Sequence, residues 1–238
     1  MNFKKIIVPV IAFLALVGIG FIVYYSNPNN RPMKPYDVPQ YYTFKRVVEE
    51  KGYVVLETNF AEMSNYLTGM NVTQTLSEMT GTEYKPGGLQ AIYCAVSKSV
   101  KDNPNITNLD TGLPFELDYR EYSSFDAAKA FYSNGAINAT AIEEGSIVKN
   151  GQIRNELDEE NKKGFVIIQG DVNHNVSDKS ALNFGILTGI DIEMIDYYYC
   201  VMCISDNRVC YACTTDRSAV PELQSMLEEM EMPIPSGS

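Results

Sequence analysis

Residues 200–213, CVMCISDNRVCYAC, predict the β-hairpin around which this fold is organised. Strand-forming residues extend on both sides, over residues 196–204 and 209–214, and the intervening SDNR is a turn sequence. We therefore expect two adjacent antiparallel strands near the C-terminus.

The four cysteines of this hairpin are Cys200, Cys203, Cys210 and Cys213. Paired C-x-x-C motifs often bind zinc, but here the neighbours are mostly strand formers, without the Gly or Pro of a tight zinc knuckle. With the turn centred on its Asp-Asn dipeptide, Cys203 faces Cys210 and Cys200 faces Cys213, within the Cα separation that a disulfide tolerates. Residues three apart on a strand point to opposite faces, so we expect no shared metal site.

The oxidation state of these cysteines stays open at this point. An oxidising compartment would convert one or both pairs to disulfides, whereas a reducing one would leave them as small buried residues. The fifth cysteine, Cys94, lies in the run LQAIYCAV and is expected to be buried in a strand.

The remaining sequence predicts further strands and helices, separated by polar segments. Strands are expected at residues 53–58, 89–96, 115–122 and 164–172, with the third of these half-solvated because its apolar and charged residues alternate. Helices are expected at residues 43–52, 125–135 and 218–230, with one or two more between 59 and 81; residues 143–163 read as a loop with a weak hairpin, and 184–194 as less regular. These elements predict an α+β fold with a mainly antiparallel sheet and helices packed on one face.

An uncharged run of twenty residues, IIVPVIAFLALVGIGFIVYY, occupies residues 6–25. Its helical length matches the hydrocarbon core of a bilayer, roughly 30 Å, and predicts a transmembrane helix that serves as a signal anchor. Lys4 and Lys5 precede it, which favours a cytoplasmic N-terminus. A cleaved signal peptide ending near Gly18 or Gly20 is the alternative.

The anchor divides the chain into five parts. Residues 1–5 are a cytoplasmic stub, residues 26–40 a stalk with four prolines, residues 41–233 one extracytoplasmic domain, and residues 234–238 a flexible tail. This organisation predicts a single-pass protein of the cell membrane with its domain outside.

The charge of the chain limits its partners. The net charge is −11, and removing Lys4 and Lys5 from the 19 basic residues leaves 17 against 30 acidic ones, or −13. Nucleic acids and anionic lipids require a basic surface, so we expect neither as a partner of the domain. The expected partners are the membrane, through the N-terminal helix, and an envelope protein.

No motif in the sequence specifies catalysis, a cofactor, a metal or a small molecule. The acidic cluster of residues 156–160 alternates like the start of a calcium loop, but Asn161 replaces the required Gly and Ile167 the closing Glu. We therefore expect a solvated loop there. The sequence as a whole predicts no catalytic, cofactor-binding or metal site.

The overall layout is the basis of a resemblance. The anchor, the segment KGYVV, the unit DYREYSSFDAAKAFYSNG and the final strand-turn-strand-helix resemble anchored extracytoplasmic proteins of uncharacterised function in Gram-positive anaerobic bacteria. The resemblance implies location and architecture and carries no catalytic residue.

The sequence thus favours a non-enzymatic binding or scaffolding module at the cell envelope. The alternative is an enzyme with a cysteine nucleophile, because Cys203, His174 and Arg208 resemble the Cys, His and Arg set of sortases. The chain lacks the Thr-Leu-x-Thr-Cys strand of that family, and its single histidine lacks the usual Gly neighbour.

Overall fold

The computed structural model describes residues 36–59, 88–102 and 111–235. These residues form a seven-stranded antiparallel sheet and five helices, which confirms the predicted α+β class. The predicted stub and membrane span lie outside the described residues. No helix in the described ranges is both long and apolar enough to cross a membrane.

The sheet has the strand order β1-β2-β3-β7-β6-β5-β4, and each strand is antiparallel to its neighbours. The strands are β1 Val54–Asn59, β2 Leu89–Val96, β3 Glu116–Tyr122, β4 Val148–Asp158, β5 Lys163–Val172, β6 Tyr197–Ser205 and β7 Arg208–Thr214. The C-terminal hairpin β6-β7 therefore lies at the centre of the sheet, between strands β1 to β3 on one side and strands β4 and β5 on the other.

The helices are α1 Tyr41–Glu50, α2 Lys98–Asp102, α3 Phe125–Glu144, α4 Asp178–Thr188 and α5 Val220–Glu229. Short 3-10 turns precede β6 at Ile192–Met194 and α5 at Arg217–Ala219.

Helices cover both faces of the sheet, so the prediction of helices on one face is wrong. One core contains α1 and α5, with residues such as Phe44 and Leu223, and the other contains α3 and α4, with Tyr132 and Phe184. Every residue of β6 is buried, because alternate side chains enter the two cores. Strands buried on both faces read as continuous apolar runs, as YYYCVMCIS does.

The hairpin β6-β7 confirms the predicted turn and register. Ser205 pairs with Arg208, so the loop has two residues, and the first of them, Asp206, adopts a φ of 50°. Cys203 lies opposite Cys210, as the spacing predicts.

Helix α3 is nine residues longer than predicted, since it continues through Gly135 to Glu144. Ser124 caps its start by accepting a hydrogen bond from the N–H of Ala127 at 3.2 Å. Gly135 is buried against the sheet, and this packing offsets the low helix propensity of glycine.

Two segments are more regular than predicted. The expected loop at residues 143–163 contains β4, an edge strand whose polar residues, apart from the buried Gln152 and Arg154, face solvent. The hairpin from β4 to β5 is long and well paired. The less regular region, residues 184–194, begins inside α4 and contains its last five residues; the helix is described below.

The last residues of the predicted stalk, 36–40, pack onto the domain. Val38 is fully buried and donates its backbone N–H to the Ser205 hydroxyl at 2.9 Å, and the Tyr36 ring contacts Phe165 edge to face. The packed domain therefore includes residues before position 41.

Candidate functional site

The first candidate site is formed by α4 and the segment that follows it. The Ser177 hydroxyl caps the helix by accepting a hydrogen bond from the N–H of Ser180 at 3.2 Å, and Gly189 ends it with a φ of 73°. Asp191 then accepts from the N–H of Glu193 at 3.0 Å and starts the 3-10 turn. These local hydrogen bonds fold the chain back along the helix.

Helix α4 exposes two large apolar side chains and buries one. Phe184 is its only buried residue, whereas Leu182 is 63% and Ile186 50% exposed. Met194, in the 3-10 turn, is 79% exposed. These three are among five large hydrophobic residues that are exposed in the described part of the chain.

A shallow groove of about 430 Å³ runs between α4 and residues 189–193; we call it the α4 groove. Leu182 and Ile186 line its helix side, and the exposed carboxylates of Asp191 and Glu193 lie at its rim. Neither carboxylate takes part in an ion pair among the described side chains. The groove is therefore apolar along its length and acidic at one side.

No protein-family model, curated protein or solved structure matches this chain. The geometry of its own residues consequently carries the functional argument.

The second candidate site is the set of hairpin cysteines. All five cysteines of the chain are free thiols in the structure. Cys203 and Cys210 lie in the core beneath α1 and α5, whereas Cys200 and Cys213 lie in the core beneath α3 and α4. The predicted separation of the two pairs on opposite faces is confirmed.

Although they lie in an apolar core, Cys200 and Cys213 have polar side chains beside them. A hydrogen bond between the two thiols lowers the pKa of Cys213, with further hydrogen bonds from the Tyr211 and Tyr198 hydroxyls acting in the same direction against burial. The same thiol–thiol contact raises the pKa of Cys200. Of the two sulfurs, Cys213 is therefore the one that more readily carries negative charge.

The other three cysteines are in different surroundings. Burial raises the pKa of Cys203, and burial together with the nearby Asp118 carboxylate raises that of Cys210. Burial also raises the pKa of the Cys94 thiol; this residue lies in β2 as predicted, but it is half-buried and not fully buried. These thiols lack thiolate character at neutral pH.

Next to the second site, Asp118 and Arg120 form a buried ion pair on β3. The guanidinium donates two hydrogen bonds to the carboxylate, at 3.0 and 2.7 Å, and its carbon lies 4.1 Å from the centre of the Phe131 ring. Asp118 is 1% exposed, so the prediction that this strand is half-solvated is wrong. The apolar and charged side chains of β3 alternate as predicted, but α3 and its neighbours cover the charged face.

Glu116 extends this charged row toward the cysteines, since it pairs with Cys213 across β3 and β7. Loss of hydration among the surrounding protein atoms and repulsion from Asp118 raise the pKa of Glu116 to about 7, although the residue as a whole is exposed. The carboxyl group therefore changes charge near neutral pH.

The structure does not bring the sortase-like residues together. His174 lies in an exposed loop beyond the end of β5 and contacts Asp196 at 3.3 Å. Cys203 pairs with Phe165 of β5, which lies seven residues before Val172, the last residue of that strand. At the rise of a β-strand, Cys203 is therefore roughly 23 Å from the end of β5 that precedes His174. Arg208 pairs with Asp37 at 3.4 Å.

The acidic cluster of residues 156–160 spans the end of β4 and the turn to β5. Glu156 pairs with Arg154, Glu159 pairs with Lys129 at 2.6 Å, and Asp158 accepts hydrogen bonds from Asn161. Within the described ranges, no group of three or more His, Cys, Asp or Glu side chains is placed to hold a metal ion.

Neither the α4 groove nor the buried Asp118–Arg120 pair is among the sites that the sequence predicts. The cap residues Ser177 and Asp178 and the Gly189 terminator were signals for α4, but Gly185 within the run lowers its helix propensity. No local signal distinguishes a buried Asp-x-Arg from an exposed one.

Proposed function

We propose that this chain is a membrane-anchored extracytoplasmic module that binds a protein partner through the α4 groove. The partner presents an apolar segment flanked by lysine or arginine. The observation that carries the proposal is the exposed apolar side of α4, with Leu182 and Ile186 beside the acidic rim.

The apolar side of the groove supplies the affinity. Burying a leucine or isoleucine side chain contributes about 1.5–3 kcal/mol. Exposed apolar patches rimmed by polar groups commonly mark protein interaction sites. Leu182 and Ile186 are the exposed side chains of the groove that a partner would remove from water.

The acidic rim selects the partner by charge. Asp191 and Glu193 attract lysine or arginine, and the net charge of −13 beyond the N-terminal lysines steers a basic partner to the domain. The same charge repels a second copy of this chain and an anionic lipid surface. A basic and apolar protein segment is the occupant that satisfies both features.

The position of the groove suits a tethered module. Val38, near the N-terminal end of the described domain, contacts Ser205 at the end of β6, whereas the rim of the groove precedes Tyr197 at the start of β6. The nine residues of β6 span about 30 Å. An anchor attached at the first end leaves the groove at the other end, accessible to a partner.

A peptide-binding measurement tests the groove. The full-length chain, held in nanodiscs of zwitterionic lipid, is titrated into a labelled helical peptide of leucine and lysine, and anisotropy is read against empty nanodiscs. We expect saturable binding that Leu182→Ser and Ile186→Ser each weaken about tenfold, the equivalent of about 1.4 kcal/mol. The double variant Asp191→Asn/Glu193→Gln should also weaken the binding of the peptide. Added salt should have the same effect on the wild-type chain, because both changes reduce the attraction between the acidic rim and the lysines.

The matched control is Tyr42→Ser, which removes an exposed apolar side chain on α1 outside the groove. A matched peptide of leucine and glutamate should not bind. Equal binding of the two peptides, or an equal loss with Tyr42→Ser, contradicts the proposal.

The location is tested separately with a reporter that is active only outside the cell, fused after Ser238. We expect activity that stays in the membrane fraction. Release of a processed protein starting near Phe21 contradicts the anchor without affecting the groove. Thiol alkylation of the folded chain addresses the cysteine-nucleophile alternative, which predicts one cysteine that reacts much faster than free thiols at neutral pH.

A further inference from the structure

We propose that Cys200 and Cys213 are a redox modification site, and that they form a cross-strand disulfide in preference to Cys203 and Cys210. The spacing of the sequence treats the two pairs alike. The structure distinguishes them by backbone register, by exposure and by the polar groups around the sulfurs.

Two hydrogen bonds beside the hairpin turn determine the backbone register. Asp206 donates its N–H to the carbonyl of Lys162 at 2.9 Å, on the β5 side. The carbonyl of Asn207 accepts from the N–H of Tyr122 at 2.8 Å, on the β3 side. The backbone groups of both turn residues thus point away from the β6-β7 ladder.

Backbone polar groups alternate in direction along a strand, so the closing pair of the hairpin is hydrogen-bonded and every second pair after it is too. Cys203 and Cys210, two positions from the closing pair, form a hydrogen-bonded pair. Cys200 and Cys213, five positions away, form a non-hydrogen-bonded pair. The two cysteine pairs therefore differ in geometry.

The non-hydrogen-bonded pair favours the disulfide. Its Cα atoms lie about 4.5 Å apart, against about 5.5 Å in the other type, and its side chains are closer. A disulfide needs Cβ atoms about 3.8 Å apart, which the closer pair approaches with less backbone movement. Consistently, the thiols of Cys200 and Cys213 are close enough to hydrogen-bond to each other.

Access and reactivity point to the same pair. Cys213 is 9% and Cys200 5% exposed, whereas Cys210 is 1% exposed and Cys203 fully buried. Thiolate is the attacking form in disulfide exchange, and the pKa of Cys213 is lowered while those of the other three are raised. Cys213 is the attacking residue and Cys200 the resolving one.

The oxidant is a small disulfide. The Cys213 thiolate attacks one of its sulfurs, forms a mixed disulfide and releases one thiol. The Cys200 thiolate then attacks the Cys213 sulfur and releases the second thiol. Two protein thiols become one disulfide, and their two electrons and two protons appear in the two thiols of the reduced oxidant.

The test is equilibration of the full-length chain with oxidised and reduced glutathione at a series of ratios, followed by acid quench, alkylation under denaturing conditions and peptide mapping. We expect the first product to have lost two hydrogen atoms and to link Cys200 to Cys213. In that product the other three cysteines, Cys94, Cys203 and Cys210, are still thiols, so the alkylation step after the quench modifies them.

Serine variants test the roles of the two sulfurs. Cys200→Ser should trap a glutathione adduct on Cys213, whereas Cys213→Ser should leave Cys200 unmodified under the same conditions. Cys210→Ser, on the opposite face, is the matched control and should retain the Cys200–Cys213 bond. The wild-type map decides the pairing even where a variant does not fold.

Three results would overturn the proposal. They are a Cys203–Cys210 bond as the first product, a bond between Cys200 and Cys203, and four unmodified hairpin thiols at glutathione ratios as oxidising as those of the secretory pathway. None of these outcomes bears on the α4 groove.

Discussion

Gly135 of α3 lies directly over Met202 of β6, and a Cβ atom built on Gly135 would be 2.8 Å from the Met202 methyl carbon. Real Cβ atoms do not approach a heavy atom that closely. The end of the Met202 side chain therefore occupies the space that a side chain at Gly135 would take, which accounts for a glycine in the middle of a twenty-residue helix.

This contact predicts that Gly135→Leu lowers the free energy of unfolding by about 1–3 kcal/mol, the usual cost of overpacking a core. Met202→Ala, which makes space at the same point, should lower it by about 2–5 kcal/mol alone. Because each change relieves the other, the double variant should lose less than the two single losses combined. Urea unfolding measures all three, and strict additivity would show that the two positions do not share this space.

The buried ion pair on β3 predicts a large effect of one neutral substitution. Asp118→Asn leaves the Arg120 guanidinium without its counter-charge and should lower the free energy of unfolding by about 3–5 kcal/mol. The matched control is Glu50→Gln, which breaks the exposed Arg46–Glu50 pair of α1 and should cost under about 0.5 kcal/mol. Similar losses in the two variants, measured by urea unfolding, would mean that Asp118 is hydrated.

The raised pKa of Glu116 predicts a pH dependence of stability. The folded state keeps this proton up to about pH 7, whereas the unfolded state releases it near pH 4.5. Folding therefore binds a proton between these values, and the contribution of Glu116 to stability falls as pH rises through this window. Glu116→Gln should remove that part of the decline, with a moderate size because water screens an exposed group.

The measurement is urea unfolding of wild type and variant at intervals from pH 4.5 to 8. The stability difference should shift in favour of the glutamine variant as pH increases, and level off above pH 7. Glu50→Gln, an exposed carboxyl on α1, serves as the control. A pH-independent difference for Glu116→Gln would refute the prediction.

The packing of residues 36–40 predicts that they stabilise the domain. Val38→Ala should lower the free energy of unfolding by about 1–3 kcal/mol, because it removes two fully buried methyl groups. Tyr42→Ala, at a residue that is 75% exposed, should change it by less than about 0.5 kcal/mol. Equal effects in thermal or urea unfolding would place Val38 in an unpacked stalk.

Much of the fold could be predicted from local sequence. The turn at Asp206 and the pairing of Cys203 with Cys210 followed from the spacing, because a two-residue loop admits one register. The bounds of β2 and the position of α5 also followed, since their apolar periodicity is strong. The extent of α3 did not follow, because a glycine after an apolar run commonly marks the end of a helix. Here the helix continues through Gly135, which packs against Met202 of β6.

The candidate sites were less predictable, for a related reason. Leu182 and Ile186 belong to a run whose glycines weaken the helical pattern, and Phe184 is the one residue of this helix that is buried. Asp118 and Arg120 have the alternation of a solvated strand. Whether such residues are buried depends on elements distant in sequence.

The sequence by itself determined the hairpin register, the separation of the two cysteine pairs on opposite faces and the acidic character of the chain, because these depend on side-chain alternation, loop length and residue counts. Only the tertiary structure decided that helices cover both faces of the sheet, that Asp118 is buried and that α4 exposes an apolar groove. Those properties arise from which elements pack together, and packing joins residues that are far apart along the chain. The difference between Cys200–Cys213 and Cys203–Cys210 combines both, since spacing places the pairs and the surrounding strands make them unequal.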